Sequence, residues 1–357
     1  MKQIITTTLG LILISLTPTF SQQNIYQRAL FHLSNRQHLE ARNVLDSALM
    51  FEEYKNSAEA WFRKGEISMK LADESQSDLN KYLAYYDDAK ESFERVRVIE
   101  TINSSYYKNS TEYLDQIWKD YLKKAIDSYD RGEYSSTITF CDKAKQIYPD
   151  DLNTYIYTGQ AAEKLNKNAL VLENYYRLVD SGYYRENIFL KLIELEKQRE
   201  NHKDVIRLCS ISEGIFKDKS KNYFAERIKS LQRTKEYETA RKTILDSKYF
   251  ADNNSEILIL LGQNYIYEAE IKQAANILEE IQPINDDERI ELANSLFEVA
   301  TASKYLLDDD KDGNQVKKSA KKYLERAKVL YSNVNEKKYR EEINLRIRLI
   351  EKLLDKE

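Results

Sequence analysis

The stretch from Leu258 to Pro283, LILLGQNYIYEAEIKQAANILEEIQP, decides the fold of this chain. Its apolar residues recur at helical spacing on either side of a short polar break, so it reads as two successive helices. Leu258, Leu261 and Tyr265 mark the stripe of the first, and Ala274 and Leu278 that of the second. Gly262 and Ala274 are small, which lets two helices approach closely, while Leu258 and Leu278 fill the space beside them. Two such helices cannot bury their apolar faces alone, so the unit implies neighbours stacked on it.

Working outward, the same layout recurs. Ala240 and Ala274 lie 34 residues apart, as do Ala125 and Gly159. A second copy runs Tyr155, Thr158, Gly159 and Ala162, then Val171 and Tyr175; a third runs Tyr121, Lys124 and Ala125, then Thr137, Cys141, Ala144 and Pro149. Trp61, Lys64 and Gly65 open another, which Ala89 and Phe93 close. Ala41, Leu45 and Ala48 mark an N-terminal copy, Phe189 to Ser212 and Phe224 to Ser247 two weaker ones, and Ala320, Leu324 and Ala327 a last. A 34-residue period with small residues at the eighth and twentieth positions resembles the tetratricopeptide-repeat (TPR) family, as found in exported bacterial proteins. The resemblance covers residues 22–334 in about eight copies, several without the glycine or the proline. It implies an all-α, right-handed superhelical solenoid of helix pairs.

Two copies are longer than the period allows. Gly65 to Ala89 spans twice the usual interval, with a polar turn near residues 73–78 followed by Tyr82, Tyr85 and Tyr86. This predicts longer helices around a protruding loop, an insertion over residues 73–86. The other insertion covers residues 308–314. Residues 335–357 include an amphipathic stripe of Ile343, Ile347, Ile350 and Leu354, which suits a capping helix over the last repeat.

Composition agrees with an all-helical chain: of 357 residues, only 8 are Gly and 3 Pro. The 55 basic and 59 acidic residues are interspersed, without the basic stripe that nucleic-acid binding needs. Residues 1–21 read as a secretory signal: Lys2, an apolar run from Ile4 to Leu16, and Thr19-Phe20-Ser21 before the expected cleavage. That run is too short to span a membrane, so the mature chain is expected to be exported, periplasmic or at the cell surface, without an integral span. Cys141 and Cys209 lie two periods apart, at the same repeat position, and are expected to be free thiols.

Catalytic chemistry finds little footing, and no cofactor is expected. Of the three histidines, His32, His38 and His202, the last two share a repeat position with Tyr134 and Tyr237 near the start of the second helix, a packing position. No Ser-His-Asp arrangement, phosphate loop or H-E-x-x-H helix is present. Asp308, Asp310 and Asp312 with Gly313 match the first half of a calcium loop, but the twelfth position is Ser319, so a plain acidic turn is the better reading. Among 27 tyrosines most suit packing, while Tyr82, Tyr85, Tyr86, Tyr106 and Tyr107 are candidates for an exposed binding surface.

The resemblance implies a non-catalytic scaffold or adaptor of the cell envelope that holds a protein or peptide in a concave groove. An outer-membrane carbohydrate-capture protein on the same scaffold is the alternative, though it would normally carry a large non-repeat insertion. In the family, positions two, five, nine and twelve of the first helix face the groove. They correspond here to Asn153, Ile156, Gln160 and Glu163; to Asn187, Leu190, Glu194 and Lys197; to Asn222, Ala225, Lys229 and Gln232; and to Glu256, Ile259 and Gln263. Asn recurs at position two in three successive copies, and its amide can both donate to and accept from a peptide backbone. The set is polar and mixed in charge. The partner's identity and the oligomeric state are left open.

Overall fold

The computed structural model describes residues 25–305 and 313–354; the expected leader and the acidic residues Asp308, Asp310 and Asp312 lie outside them. The described residues form helices and turns without a strand. They divide into two compact units, the first ending at Ser181 and the second beginning at Gly182.

The first unit holds four helix pairs: α1 (25–34) with α2 (His38–Ala48), α4 (Ala58–Glu74) with α5 (Leu79–Ile99), α6 (Ser105–Asp130) with α7 (Tyr134–Lys145), and α8 (Leu152–Lys164) with α9 (Asn168–Asp180). A single turn, α3 (Glu52–Lys55), sits in the link after the first pair. The second unit pairs α10 (Glu186–Gln198) with α11 (His202–Ile215), α12 (Ser220–Arg233) with α13 (Tyr237–Leu245), α15 (Ser255–Tyr267) with α16 (Ile271–Glu279), and α17 (Asp286–Tyr305) with α18 (Gly313–Ser332). One turn, α14 (Lys248–Ala251), precedes α15, and α19 (Arg340–Leu354) closes the unit. Within each unit a first helix touches the next first helix, as α4 does α6 and α15 does α17. The second helix of a pair also touches the following first helix, as α7 does α8 and α16 does α17.

Among the described residues one turn is used six times to reverse the chain. Arg36, Gly132 and Asn166 in the first unit, and Glu200, Lys235 and Ala269 in the second, all have φ between 54° and 77°, the left-handed region. Each is followed, two residues on, by the first residue of a second helix. The hydrogen bonds are those of a Schellman motif: Gly132 N–H donates to the Tyr129 carbonyl at 2.9 Å and Glu133 N–H to that of Ser128 at 2.8 Å. Glu200 and Asn201 repeat this onto Lys197 and Glu196, and Ala269 and Glu270 onto Ile266 and Tyr265. Only one of the six left-handed residues is glycine, although an L side chain is strained there.

Close packing within the pairs follows from the small eighth position. A Cβ added to Gly65 would lie 2.6 Å from the Phe93 ring, and at Gly159 and Gly262 it would lie closer still to Tyr175 and Leu278. Each large partner is the residue expected at position twenty-four. Where the eighth position is larger, the partner is smaller in two pairs: Ala125 is matched with Cys141 and Ile193 with Cys209, all four buried. In these two pairs a bulkier residue on one helix thus accompanies a smaller one on the other, as a dense interior favours.

The first insertion forms no protruding loop. Its residues extend α4 to 17 and α5 to 21 residues, joined by a turn over 75–78 in which Asp78 accepts from the Lys81 N–H at 3.2 Å. The added turns of α5 carry Tyr82 and Tyr86 into the core, which corrects their reading as surface residues. The two rings are 4.7 Å apart, Tyr86 lies 5.5 Å from Tyr121, and the Tyr82 hydroxyl donates to Asp120. Burial pushes both hydroxyls far above the usual tyrosine range, so they stay neutral donors. Nearby, Asp88 receives bonds from Arg42 at 2.7 Å and Ser68 at 2.7 Å and pairs with Lys64 at 3.0 Å. Burial raises the Asp88 carboxyl, but these donors outweigh it and hold the group below its ordinary range.

At the end of the second unit, Ile343 and Ile350 of α19 are buried in the cluster that includes Leu324, Ala327 and Tyr331, with Ile347 and Leu354 at its edge. Arg326 of α18 reaches back to the end of α16, donating to the carbonyls of Leu278 at 3.0 Å, Ile281 at 2.6 Å and Glu279. Those carbonyls belong to a helix terminus and its exit, where the helix itself supplies no donors.

Candidate functional site

Helices α12, α15 and α17 abut in series. Of the family's groove positions in this unit, Asn187, Leu190, Glu194, Lys197 and Asn222 are exposed, and Lys229, Glu256 and Gln263 are half-buried. Ala225 and Ile259 belong to the core instead. Gln232 is only 8% exposed, and its amide donates to the Leu260 carbonyl at 2.8 Å. That bond ties α12 to α15. The nominal position twelve of this pair is therefore turned into the joint between neighbouring first helices.

In the first unit Asn153 is exposed and its amide donates to Asp151 at 3.0 Å, which caps α8. Ile156, Gln160 and Glu163 are half-buried, and Glu163 accepts from the Tyr175 hydroxyl. Tyr85, Tyr106 and Tyr107 are half-buried, with Tyr106 packed against Phe62 at 5.4 Å. A hollow of about 420 Å³ is lined by Leu33, His38, Glu66, Met69, Tyr113 and their neighbours. Its histidine is engaged: His38 Nδ1 lies 2.7 Å from Glu74. His38 and His202 each begin a second helix, as Tyr134 and Tyr237 do.

Two hollows mark the second unit. The first, about 380 Å³, is lined by Lys221, Lys229, Glu256, Asp287, Glu288 and Glu291 with Tyr339 at its edge. Lys221 lies 3.2 Å from Glu256, and Lys229 bridges Glu256 and Glu291 at 3.7 Å each. Burial raises the Glu291 carboxyl, Lys229 opposes this, and the nearby acids Glu256, Asp287 and Glu288 add to the rise. The second hollow, about 550 Å³, shares Lys229 and Glu291 and adds Arg233, Lys235, Gln263, Tyr237 and Tyr267. The Tyr237 and Tyr267 rings are stacked, with centroids 5.5 Å apart and planes 28° from parallel.

Sequence reading singled out Lys229, Glu256 and Gln263 but not Glu291, Arg233 or Tyr267. It assigned Tyr237 to packing. The signal for this set was spatial: Tyr267 ends α15 and Tyr237 begins α13, so the two rings meet only through the pairing of neighbouring repeats. Among the described residues no cluster of His, Cys, Asp and Glu is arranged to hold a metal ion. No helix among them is long and apolar enough to cross a membrane. Cys141 and Cys209 are free and buried, and burial pushes their thiols up to about 11 and about 12.

No protein-family model and no curated protein matches the sequence. Among solved structures the chain is similar to the TPR domain of P58(IPK), at 16% identity over 94% of this chain and 99% of that one, with a TM-score of 0.29. It is similar to pilF of Pseudomonas aeruginosa, at 13% identity over 67% and 98% of the two chains, with a TM-score of 0.35. A tetratricopeptide repeat protein from Parabacteroides merdae is 13% identical over 77% of this chain and 99% of that one, with a TM-score of 0.27.

Proposed function

We propose that this chain, whose fold is an array of tetratricopeptide-type helix pairs, is a non-catalytic scaffold of the cell envelope that binds a protein or peptide along its first helices. The observation that carries the reading is the pair of adjoining hollows over α12, α15 and α17, lined by polar and charged side chains and a stacked tyrosine pair. Hollows of mixed polarity on a rigid helical frame supply pockets for alternate side chains of a ligand while the frame itself stays fixed. Aromatic residues at such a surface add contact area at small entropic cost. Location in the envelope rests on the leader-like residues 1–21.

A photo-crosslinking amino acid placed singly at Glu194, Gln263, Lys242 or Lys272 tests the reading. The first two lie on first helices and the last two, both exposed, on second helices. In the envelope fraction of the native host, discrete adducts are expected from Glu194 and Gln263 alone. Adducts only from Lys242 and Lys272 would move the surface to the opposite face. N-terminal sequencing of the host's own product should begin at Gln22; retention of Met1 on a cytoplasmic product would overturn the location.

A further inference from the structure

The two hollows of the second unit differ in charge although they share a wall. The first is lined by four carboxylates against two lysines. Most of those carboxylates are already engaged. Glu288 accepts from the Ser255 hydroxyl at 2.7 Å, the Ile284 N–H at 3.0 Å and the Asn285 amide at 3.1 Å. Asp287 accepts from the Tyr339 hydroxyl at 2.6 Å, and Glu256 is held by Lys221 at 3.2 Å. Glu291 is left with a share of Lys229, which also serves Glu256. A cation arriving from outside would find its best counter-charge there.

The second hollow is the reverse. Arg233 and Lys235 are exposed cations at its rim and make no ion pair among the described residues. The stacked rings of Tyr237 and Tyr267 line the same hollow, with Tyr267 half exposed. Glu291 belongs to α17, Arg233 to α12 and Lys235 to the turn that follows it, and all three line the same hollow.

We infer that this face takes an extended peptide carrying one acidic and one basic side chain, the carboxylate at Arg233 and Lys235 and the cation at Glu291. The inference rests on the peptide-binding reading above and specifies its ligand. A polyanion such as nucleic acid meets repulsion at the first hollow, and a polycation meets it at the second. Only a dipolar segment satisfies both, so the specificity comes as much from the charge each hollow rejects as from the one it accepts.

The test is selection of a random heptapeptide phage library on the full chain, on Arg233→Glu/Lys235→Glu and on Glu291→Lys. These side chains lie at the surface or share an ion pair, so the variants should fold, which circular dichroism and thermal melting establish. The wild type should enrich peptides that pair an acid with a base at one fixed spacing, in one order along the peptide, by roughly five-fold or more over the library, the scale of an ion pair worth about 1 kcal/mol. Arg233→Glu/Lys235→Glu should lose the acidic preference and keep the basic one, and Glu291→Lys should do the opposite. Enriched peptides without the pattern, or a pattern that survives in both variants, would overturn this inference and leave peptide binding standing. Failure of the wild type to enrich any peptide would overturn both.

Discussion

Replacing Ala269 with glycine is expected to stabilise the chain, although glycine in an all-helical protein ordinarily does harm. Ala269 sits at φ 62°, and an L residue pays about 1–2 kcal/mol to adopt the left-handed conformation. Glycine adopts it freely but loses more backbone freedom on folding, about 0.5–1 kcal/mol relative to alanine. The difference leaves a net gain of about 0.5–1 kcal/mol for Ala269→Gly. The side chain is exposed, so nothing offsets this by lost packing. Glu200→Gly, at φ 57°, should gain a similar amount, and Asn166→Gly about nothing, because asparagine tolerates this region. Gly132→Ala should run the other way, losing about 1 kcal/mol. Urea unfolding at 25 °C reads the series as shifts in midpoint at unchanged slope. A loss of about 1 kcal/mol in Ala269→Gly, the cost of a glycine inside a helix, would refute the turn assignment and with it the register of the repeats.

Two further outcomes are expected. Burial raises the thiols of Cys141 and Cys209 to about 11 and about 12, so both remain protonated at pH 8. A disulfide-exchange reagent should then titrate none in the native chain and two after denaturation without reductant, since the thiolate is the reactive form; a protected pair after denaturation would count against free cysteines. Asp88→Asn should cost on the order of 3 kcal/mol at pH 7, because Arg42 and Lys64 lose a buried counter-charge. The folded Asp88 carboxyl lies below its unfolded value of about 3.9, so its contribution is full above pH 4 and fades as pH falls through the folded value. The gap between wild type and variant should therefore narrow below pH 4, and a gap constant from pH 7 to pH 3 would show that the charge of Asp88 is not what stabilises the fold.

The helix pairs were legible because their packing is local and periodic: Gly159 with Tyr175 and Gly262 with Leu278 can be read from spacing alone. The reversing turns were less so, because five of the six left-handed positions carry a residue other than glycine and give no compositional mark. Tyr82 and Tyr86 escaped for a different reason. A sequence insertion says that residues are extra, not whether they loop out or add turns, and here the added turns of α5 meet Asp120 and Tyr121 of α6. Gln232 shows the limit of carrying a family's positions across: its pattern is polar and solvent-like, yet the Leu260 carbonyl on the neighbouring helix claims its amide. The charged hollows depend on such contacts between repeats, which no single copy of the sequence contains.

Arg326 bears on how the second unit comes apart. Helix α16 is nine residues long, and the donors for its final carbonyls come from a side chain about 45 positions later in the chain. Its last turn is thus completed by the following pair. In an array whose neighbours met only through apolar contact, the terminal pair could detach and leave the seventh intact. Here detachment uncaps α16 as it exposes it, so fraying from the C-terminal end must travel inward past Leu278 before it meets a helix whose ends are closed by its own residues. The two pairs are therefore expected to melt together, because the Arg326 bonds are lost whichever of them opens first.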